Sequence, residues 1–358
     1  MVALEQHVAP LVSAVNGASV RFVDPLDDAE WDRKIAEFRH ATSFHSRAWC
    51  QALKETYRFR PLYAVAERAG VMCGVLPFME VDNLPKGRRG VSLPFTDECC
   101  ALGVDAQVVE RLNAVVMEEG RRRQWNYAEF RGTPVAGAGP GLSFFDHRLE
   151  LQAPDKVFAR FDSSVQRAIR KAERSGVTVE ISDTLEALRA FYGLHERTRQ
   201  KHGVPPQSFA FFANIHRHIL QSRHGFVVLA RADKRVVAAA VFFQFGKKAI
   251  YKFGASDDRF QQLRANNLVF WKAIQALAEN GAVELDFGRT SLGNEGLRRF
   301  KLGWGSQESR LDYFKYDFRR KRFARGCDRA SGWQTRVMGV LPRVMCRWVG
   351  TMFYRRLA

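Results

Sequence analysis

Two stretches of the chain carry apolar and polar positions in the same order. Residues 62–81, LYAVAERAGVMCGVLPFMEV, hold two apolar runs around a polar break, and residues 226–245, FVVLARADKRVVAAAVFFQF, repeat the arrangement. Runs rich in Val, Phe and Tyr around a short polar break predict a β-hairpin. Each hairpin is followed by a basic turn (Gly87-Arg88-Arg89; Gly246-Lys247-Lys248), a third apolar run and an acidic loop (Thr96-Asp97-Glu98; Ser256-Asp257-Asp258). The period then becomes helical, through Val108, Leu112, Val115 and Val116 in one copy and Leu268, Trp271, Ile274 and Ala278 in the other. Both copies close on a strand, YAEFRGTP (127–134) and ELDFGRTS (284–291), with corresponding positions 157–164 residues apart. This predicts an α/β (α+β) tandem of two units with mixed, largely antiparallel sheets flanked by helices. The expected units are 1–152, mainly structural, and 153–318, carrying the cleft, followed by a basic amphipathic tail over 319–358.

Between the copies, Val157, Phe161, Val165 and Ile169 stand four apart and predict one helix over 155–176, ending at Gly176. Arg167, Arg170, Lys171 and Arg174 line a second face of it with no carboxylate interleaved, as an anion-binding stripe would. A helical pair follows at 184–203 and 207–225, where His195, His202, His216, His218 and His224 fall. None of them has metal-ligand spacing, so no metal site is expected.

Composition narrows the partners. The 358 residues are 46% hydrophobic and include 28 Phe, ample for packed cores. A net charge of +18 favours anionic partners: nucleic acid, phosphorylated small molecules or an anionic membrane surface. The six cysteines form neither a CxxC pair nor a zinc set, so reduced thiols and a cytoplasmic protein are expected. Neither a secretory leader nor a membrane-spanning run of 18 apolar residues is legible, the start carrying Glu5 and His7 and no basic region. The tail carries eleven Lys/Arg against Asp328, interleaved with Trp333, Leu341, Met345, Trp348 and Phe353. That mixture suits peripheral attachment to the inner face of the cytoplasmic membrane, and a helix packed back on the protein is the alternative.

The segments RAIRKAERSGV (167–177), YKFGASDDRFQQLRANNLVFWKAIQALAENGAVELDFGRTSL (251–292) and GLRRFKLGWGS (296–306) resemble the Fem-type branch of the GNAT-fold acyltransferases. That branch includes the peptidoglycan bridge aminoacyltransferases and the FemAB-related proteins of exosortase (PEP-CTERM) gene clusters. The likeness runs over about 45–318. It implies transfer of an acyl or aminoacyl group to an amine of a cell-envelope glycan precursor, lipid- or nucleotide-linked. The co-substrate it implies is aminoacyl-tRNA or an acyl thioester, on coenzyme A or acyl carrier protein, with no bound cofactor. In the donor cradle of that fold, a helix N-terminus meets the pyrophosphate. The matching positions Gln262, Arg264, Asn266 and Asn267 keep the glutamine of the family's Gln/Arg-x-x-Gly-x-Gly/Ala pattern and lack its glycines. Phe300-Lys301-Leu302-Gly303-Trp304-Gly305 matches the family's Phe-Lys-x-x-Phe-Gly. This implies Lys301 beside the reaction centre, glycines for close approach and Trp304 as a flat wall for the donor.

Asp286 ends the strand before that loop and is a candidate base, or the partner of Arg289 or Lys301. Tyr251, Lys252 and Arg289 are expected to line the same cleft, with Arg167, Arg170 and Lys171 as anchors for the acceptor's anionic end. Two other readings stand beside this one. One is an acyl-CoA-dependent acetyltransferase of amino sugars; the other is a non-catalytic RNA- or anion-binding module.

Overall fold

The structure is a computed structural model, and it describes residues 17–83, 87–326 and 354. The first unit opens with β1 (Ser19–Val23), α1 (Trp31–Ala36) and α2 (Arg47–Tyr57). Then come β2 (Arg60–Pro61), β3 (Tyr63–Arg68), β4 (Val71–Leu76), β5 (Met79–Asn83), β6 (Gly87–Val91) and β7 (Leu102–Gly103). Helix α3 (Ala106–Arg122), β8 (Tyr127–Arg131) and β9 (Leu142–Glu150) complete it. The second unit runs α4 (Pro154–Ala159), α5 (Ser163–Arg174), β10 (Thr178–Ser182), α6 (Leu185–Lys201) and α7 (Phe209–Ile215). It continues with β11 (Gly225–Ala232), β12 (Arg235–Phe245), β13 (Lys248–Ser256), α8 (Ala265–Glu279), β14 (Glu284–Asp286), β15 (Thr290–Ser291) and α9 (Glu295–Leu302). Strands β16 (Gln307–Asp317) and β17 (Arg322–Phe323) follow.

The predicted hairpins are present, β3–β4 and β11–β12, both antiparallel. The helix-connected returns are present too: β6 pairs with β8 in parallel across α3, and β13 with β14 in parallel across α8. Residues 87–89, read as a turn, instead begin β6, because the 5-residue strand pairs with β5 from Gly87 onward.

Each unit is a sheet with helices on both faces, and strand alternation feeds two cores. On β11, Val227 and Leu229 face the central core while Phe226, Val228 and Ala230 face the outer one under α5 and α8. The central core is shared: Trp49 of α2 meets Phe211 of α7 at 5.9 Å and Phe243 of β12 at 6.0 Å. The third core lies under α3 in the first unit.

The sheets do not respect the repeat. β9 lies between β14 and β16, and β16 between β9 and β8, so one sheet runs through both units. The expected boundary at 152/153 falls between β9 and α4.

The single helix expected over 155–176 is two, α4 and α5, with Arg160–Asp162 outside both. The Asp162 N–H donates to the Gly303 carbonyl at 2.9 Å, drawing the chain out of helical geometry. Val157, Phe161 and Val165 stay buried through the break, which is why the periodicity hid it.

Beyond residue 326 only Tyr354 is described. Its ring is buried 5.5 Å from Phe95, and its hydroxyl donates to the Pro205 carbonyl at 3.0 Å. Most of the segment assigned to a membrane surface, 327–353 and 355–358, lies outside the described residues. No helix among the described residues is long and apolar enough to cross a membrane.

Candidate active site

β13 and β14 begin side by side and part early. Their parallel pairing covers only Lys248–Ile250 with Glu284–Asp286. β13 continues to Ser256, paired on its other side with β12 through a register shift at Val241/Phe242. Residues 251–256 therefore turn an unpaired backbone edge toward the gap, and Asp286 sits where the gap opens. Tyr251, the first residue beyond the fork, packs on Phe242 and Phe270, and burial pushes its phenol up to about 12. Its hydroxyl passes so close to Gly254 that a Cβ there would lie 1.8 Å away, so any side chain at that position would displace the phenol.

Asp286 is half-buried and accepts from the Gly288 N–H at 2.6 Å. Its register partner on β9 is Arg148, and Asp146 stands two residues along on the same face. Glu98 reaches in from the first unit and accepts from Arg148. Glu98, Asp146 and Asp286 each bring an oxygen into a group within 4.8 Å of one another. Burial, then the negative charge of Asp146 and Glu98, raises the Asp286 carboxyl well above the ordinary range, against the pull of Arg148. Burial raises Glu98 likewise. Three converging carboxylates are also what a hard divalent cation takes. Here the Arg148 guanidinium holds the group together, its Nε donating to Asp146 at 2.8 Å.

Lys301 approaches from α9. It is 3% exposed, and its ammonium donates to the Gly288 carbonyl at 2.5 Å and the Arg289 carbonyl at 3.1 Å. Burial lowers its pKa to about 8, with Asp97, Asp286 and Asp146 opposing. Arg289 turns the other way, ion-paired with Asp97 at 3.4 Å and lying over the Phe144 ring at 4.6 Å. Lys252 donates to the Phe95 carbonyl at 2.6 Å and lies 4.0 Å from Asp97. Burial alone would raise Asp97, but Lys252, Arg289, Lys301 and Arg131 outweigh it and hold the carboxyl low. Arg131 fixes the loop by donating to the Leu93 and Thr96 carbonyls at 3.1 and 2.9 Å.

The structure thus brings Asp286, Lys301, Arg289 and Lys252 together around Asp97, whereas Tyr251, expected to line the same cleft, faces the outer core against Phe242 and Phe270. Trp304 is corrected: it is 0% exposed, wedged among Phe161, Phe270 and Phe300 at 5.0–6.1 Å, and is a core plug rather than a donor wall. Its glycines serve packing too, since a Cβ at Gly305 would lie 2.9 Å from the Arg160 carbonyl. Arg167, Arg170 and Lys171 lie exposed on α5, Arg170 over the Phe158 ring at 5.6 Å. None has a described hydrogen bond or ion pair to the acidic group.

Arg264, Asn266 and Asn267 line a separate 170 Å³ pocket with Phe300 and Ser256, while Gln262 is exposed and its neighbour Gln261 takes the lining position. Arg264 precedes α8 with φ 58, and no side chain caps the helix; the Asn267 N–H donates to the Arg264 carbonyl at 2.9 Å, which leaves the N–H groups of Ala265 and Asn266 for an anion. Asp97, Glu98, Asp146 and Arg148 were not singled out from sequence as site residues. The acidic loop at 96–98 is a repeat feature, and Asp146 and Arg148 carry the i, i+2 spacing that puts two side chains on one strand face.

Residues 159–302 match the family described as "Acetyltransferase (GNAT) domain". Among solved structures, FemX is similar over 82% of this chain and 96% of its own, with a TM-score of 0.66 and 16% identity. A tandem GNAT protein from the clavulanic acid biosynthesis pathway is similar over 84% and 98%, with a TM-score of 0.53 and 10% identity. A curated thiamine-phosphate synthase of Synechococcus sp. (strain CC9605) is 30% identical over 115 residues, 32% of each chain. The chain spans about a third of that relative's length.

Proposed function

We propose that this chain, which matches a GNAT domain over residues 159–302 and folds like FemX and a tandem GNAT protein, is an acyltransferase that moves an acyl or aminoacyl group to an amine of a cell-envelope glycan precursor. The observation carrying this reading is the place of Asp286, at the fork of β13 and β14, among carboxylates that raise its proton affinity. A carboxylate so tuned takes a proton from an acceptor ammonium near neutral pH, directly or through water. The freed amine attacks the donor's ester or thioester carbonyl, and the hydroxyl or thiol leaves with a proton. Lys301, held by two carbonyls, fixes the turn after Asp286 and keeps positive charge beside it. Arg167, Arg170 and Lys171 offer exposed anchors for the acceptor's phosphate.

The uncapped start of α8 beside the 170 Å³ pocket favours a phosphate-bearing donor. Acyl-CoA, phosphopantetheine on a carrier protein and the 3′ end of aminoacyl-tRNA all present one. Calorimetry with coenzyme A at physiological salt tests the first. Saturable binding that Arg264→Ala weakens supports a thioester; no binding leaves aminoacyl-tRNA or a carrier-protein thioester as the donor. The reaction itself is tested by mass spectrometry of a nucleotide-linked amino sugar after incubation with each donor. An acceptor mass unchanged with every donor would overturn the amine-acceptor reading.

A further inference from the structure

A cavity of about 1170 Å³ lies in the first unit between β1, β2, the end of α2 and the C-terminal half of α3. No residue of the acidic centre or of the donor pocket lines it. It exceeds the roughly 300–1,000 Å³ of ordinary small-molecule pockets.

Its lining is of two kinds only. Phe22, Phe59, Pro61, Leu62 and Val115 supply apolar wall, and the other side chains there are aliphatic or charged, seven cationic against three acidic. Ser, Thr, Asn, Gln, Tyr and His are absent from it. With no neutral polar side chain, the polar contacts this wall offers are mainly those of its charged groups, cations in excess. Hydrocarbon needs only the apolar part, and an anionic head only the cations.

The cations are not all committed. Lys54 is paired with Asp24 at 2.7 Å, Arg21 with Glu67 at 2.8 Å, and Arg122 and Arg123 with Glu119. Arg58 and Arg60 are exposed and have no carboxylate partner among the described residues. Local geometry places them. Tyr57 and Phe59 turn inward and stack at 5.2 Å, which leaves Arg58 and Arg60 pointing out at the mouth. Arg58 also occupies the left-handed position that ends α2, φ 60, where glycine is the favoured residue.

We propose that this cavity is a second ligand site, which takes a single phosphate-headed amphiphile with its head at Arg58 and Arg60 and its hydrocarbon against the partly buried Phe22 and Val115. The same chemistry is presented by a free lipid phosphate and by a lipid drawn from a bilayer.

Calorimetry with dihexanoyl phosphatidic acid below its micellar concentration tests it, with dihexanoyl phosphatidylcholine and inorganic phosphate as comparisons. Saturable binding of phosphatidic acid alone is expected. The Arg58→Ala/Arg60→Ala protein should bind about tenfold or more weakly, with an unchanged melting curve. Val115→Trp, which fills the chain path, should abolish binding. Equal affinity for inorganic phosphate, undiminished binding in the double variant, or no binding to the intact protein would each overturn the proposal. Flotation with vesicles containing phosphatidic acid then identifies the source. Vesicle binding lost in Val115→Trp assigns a bilayer lipid, and probe binding without vesicle binding assigns a free one.

Discussion

The two units fold alike and differ in sign at the same place. Helix α3 of the first unit begins at Asp105, whose carboxylate accepts from the Val108 N–H at 2.8 Å and pairs with Arg68. Helix α8 of the second begins after Arg264 and has no side-chain cap. One N-terminus has therefore been closed by the protein's own anion, and the other is left for somebody else's. The strands tell the same story. β6 stops at Val91, one residue after its parallel pairing with β8 starts, whereas β13 runs six residues past its last pair with β14. Where β6 stops, the chain leaves for the other unit and delivers Asp97 and Glu98 to the fork. Duplication here gave one copy the cleft and the other the charges that tune it.

Four experiments would break or sharpen this contrast. Asp286→Asn should lower the rate of transfer by about 10²–10⁴ while the fold persists, and a rate within a few-fold of the parent would move the proton acceptor elsewhere. The same variant should gain stability. Burial raises the native carboxyl, so its charged form costs the folded state nothing below pH ~4 and progressively more as pH rises. Removing that charge should raise the melting temperature by on the order of a few degrees at pH 8 and leave it unchanged below pH ~4.

Arg264→Asp gives the second helix the first one's sign. Donor affinity measured by calorimetry should fall about tenfold or more, since an anion replaces a cation at the phosphate. Undiminished affinity would detach the donor from α8.

Next is the pH profile. Transfer should need Asp286 ionised and Lys301 charged, so kcat/KM rises with pH on the acid side and falls through about 8. Lys301→Arg should shift that falling limb upward, because a guanidinium keeps its proton. A limb that stays near 8 would belong to another group.

The smallest effect belongs to the closed unit. Asp105→Ala should lower the melting temperature slightly and leave donor affinity untouched. A change in affinity would mean that both units take donor.

Much of this architecture was legible along the chain. The hairpins and both parallel returns follow from apolar runs whose period changes from two to 3.6. The acidic centre was not legible, because residues 98, 146 and 286 converge only through the pairing of β9 with β14 and the loop beyond β6. Register between strands so far apart has no local signature. Trp304 misled for a related reason. Its neighbours Lys301, Gly303 and Gly305 look like surface, but the glycines let the turn press against Arg160 and drive the indole inward.

The sheet also dictates the order in which this molecule can be made. β9 has no complete pairing until β14 and β16 are synthesised, and β16 ends at Asp317, close to the end of the described chain. A nascent chain released at the repeat boundary would present β8 and β9 as bare edges, the surface that invites association with other chains. The ribosome therefore cannot hand over a finished first half: both units close together, when one late strand slides between two that have been waiting for it.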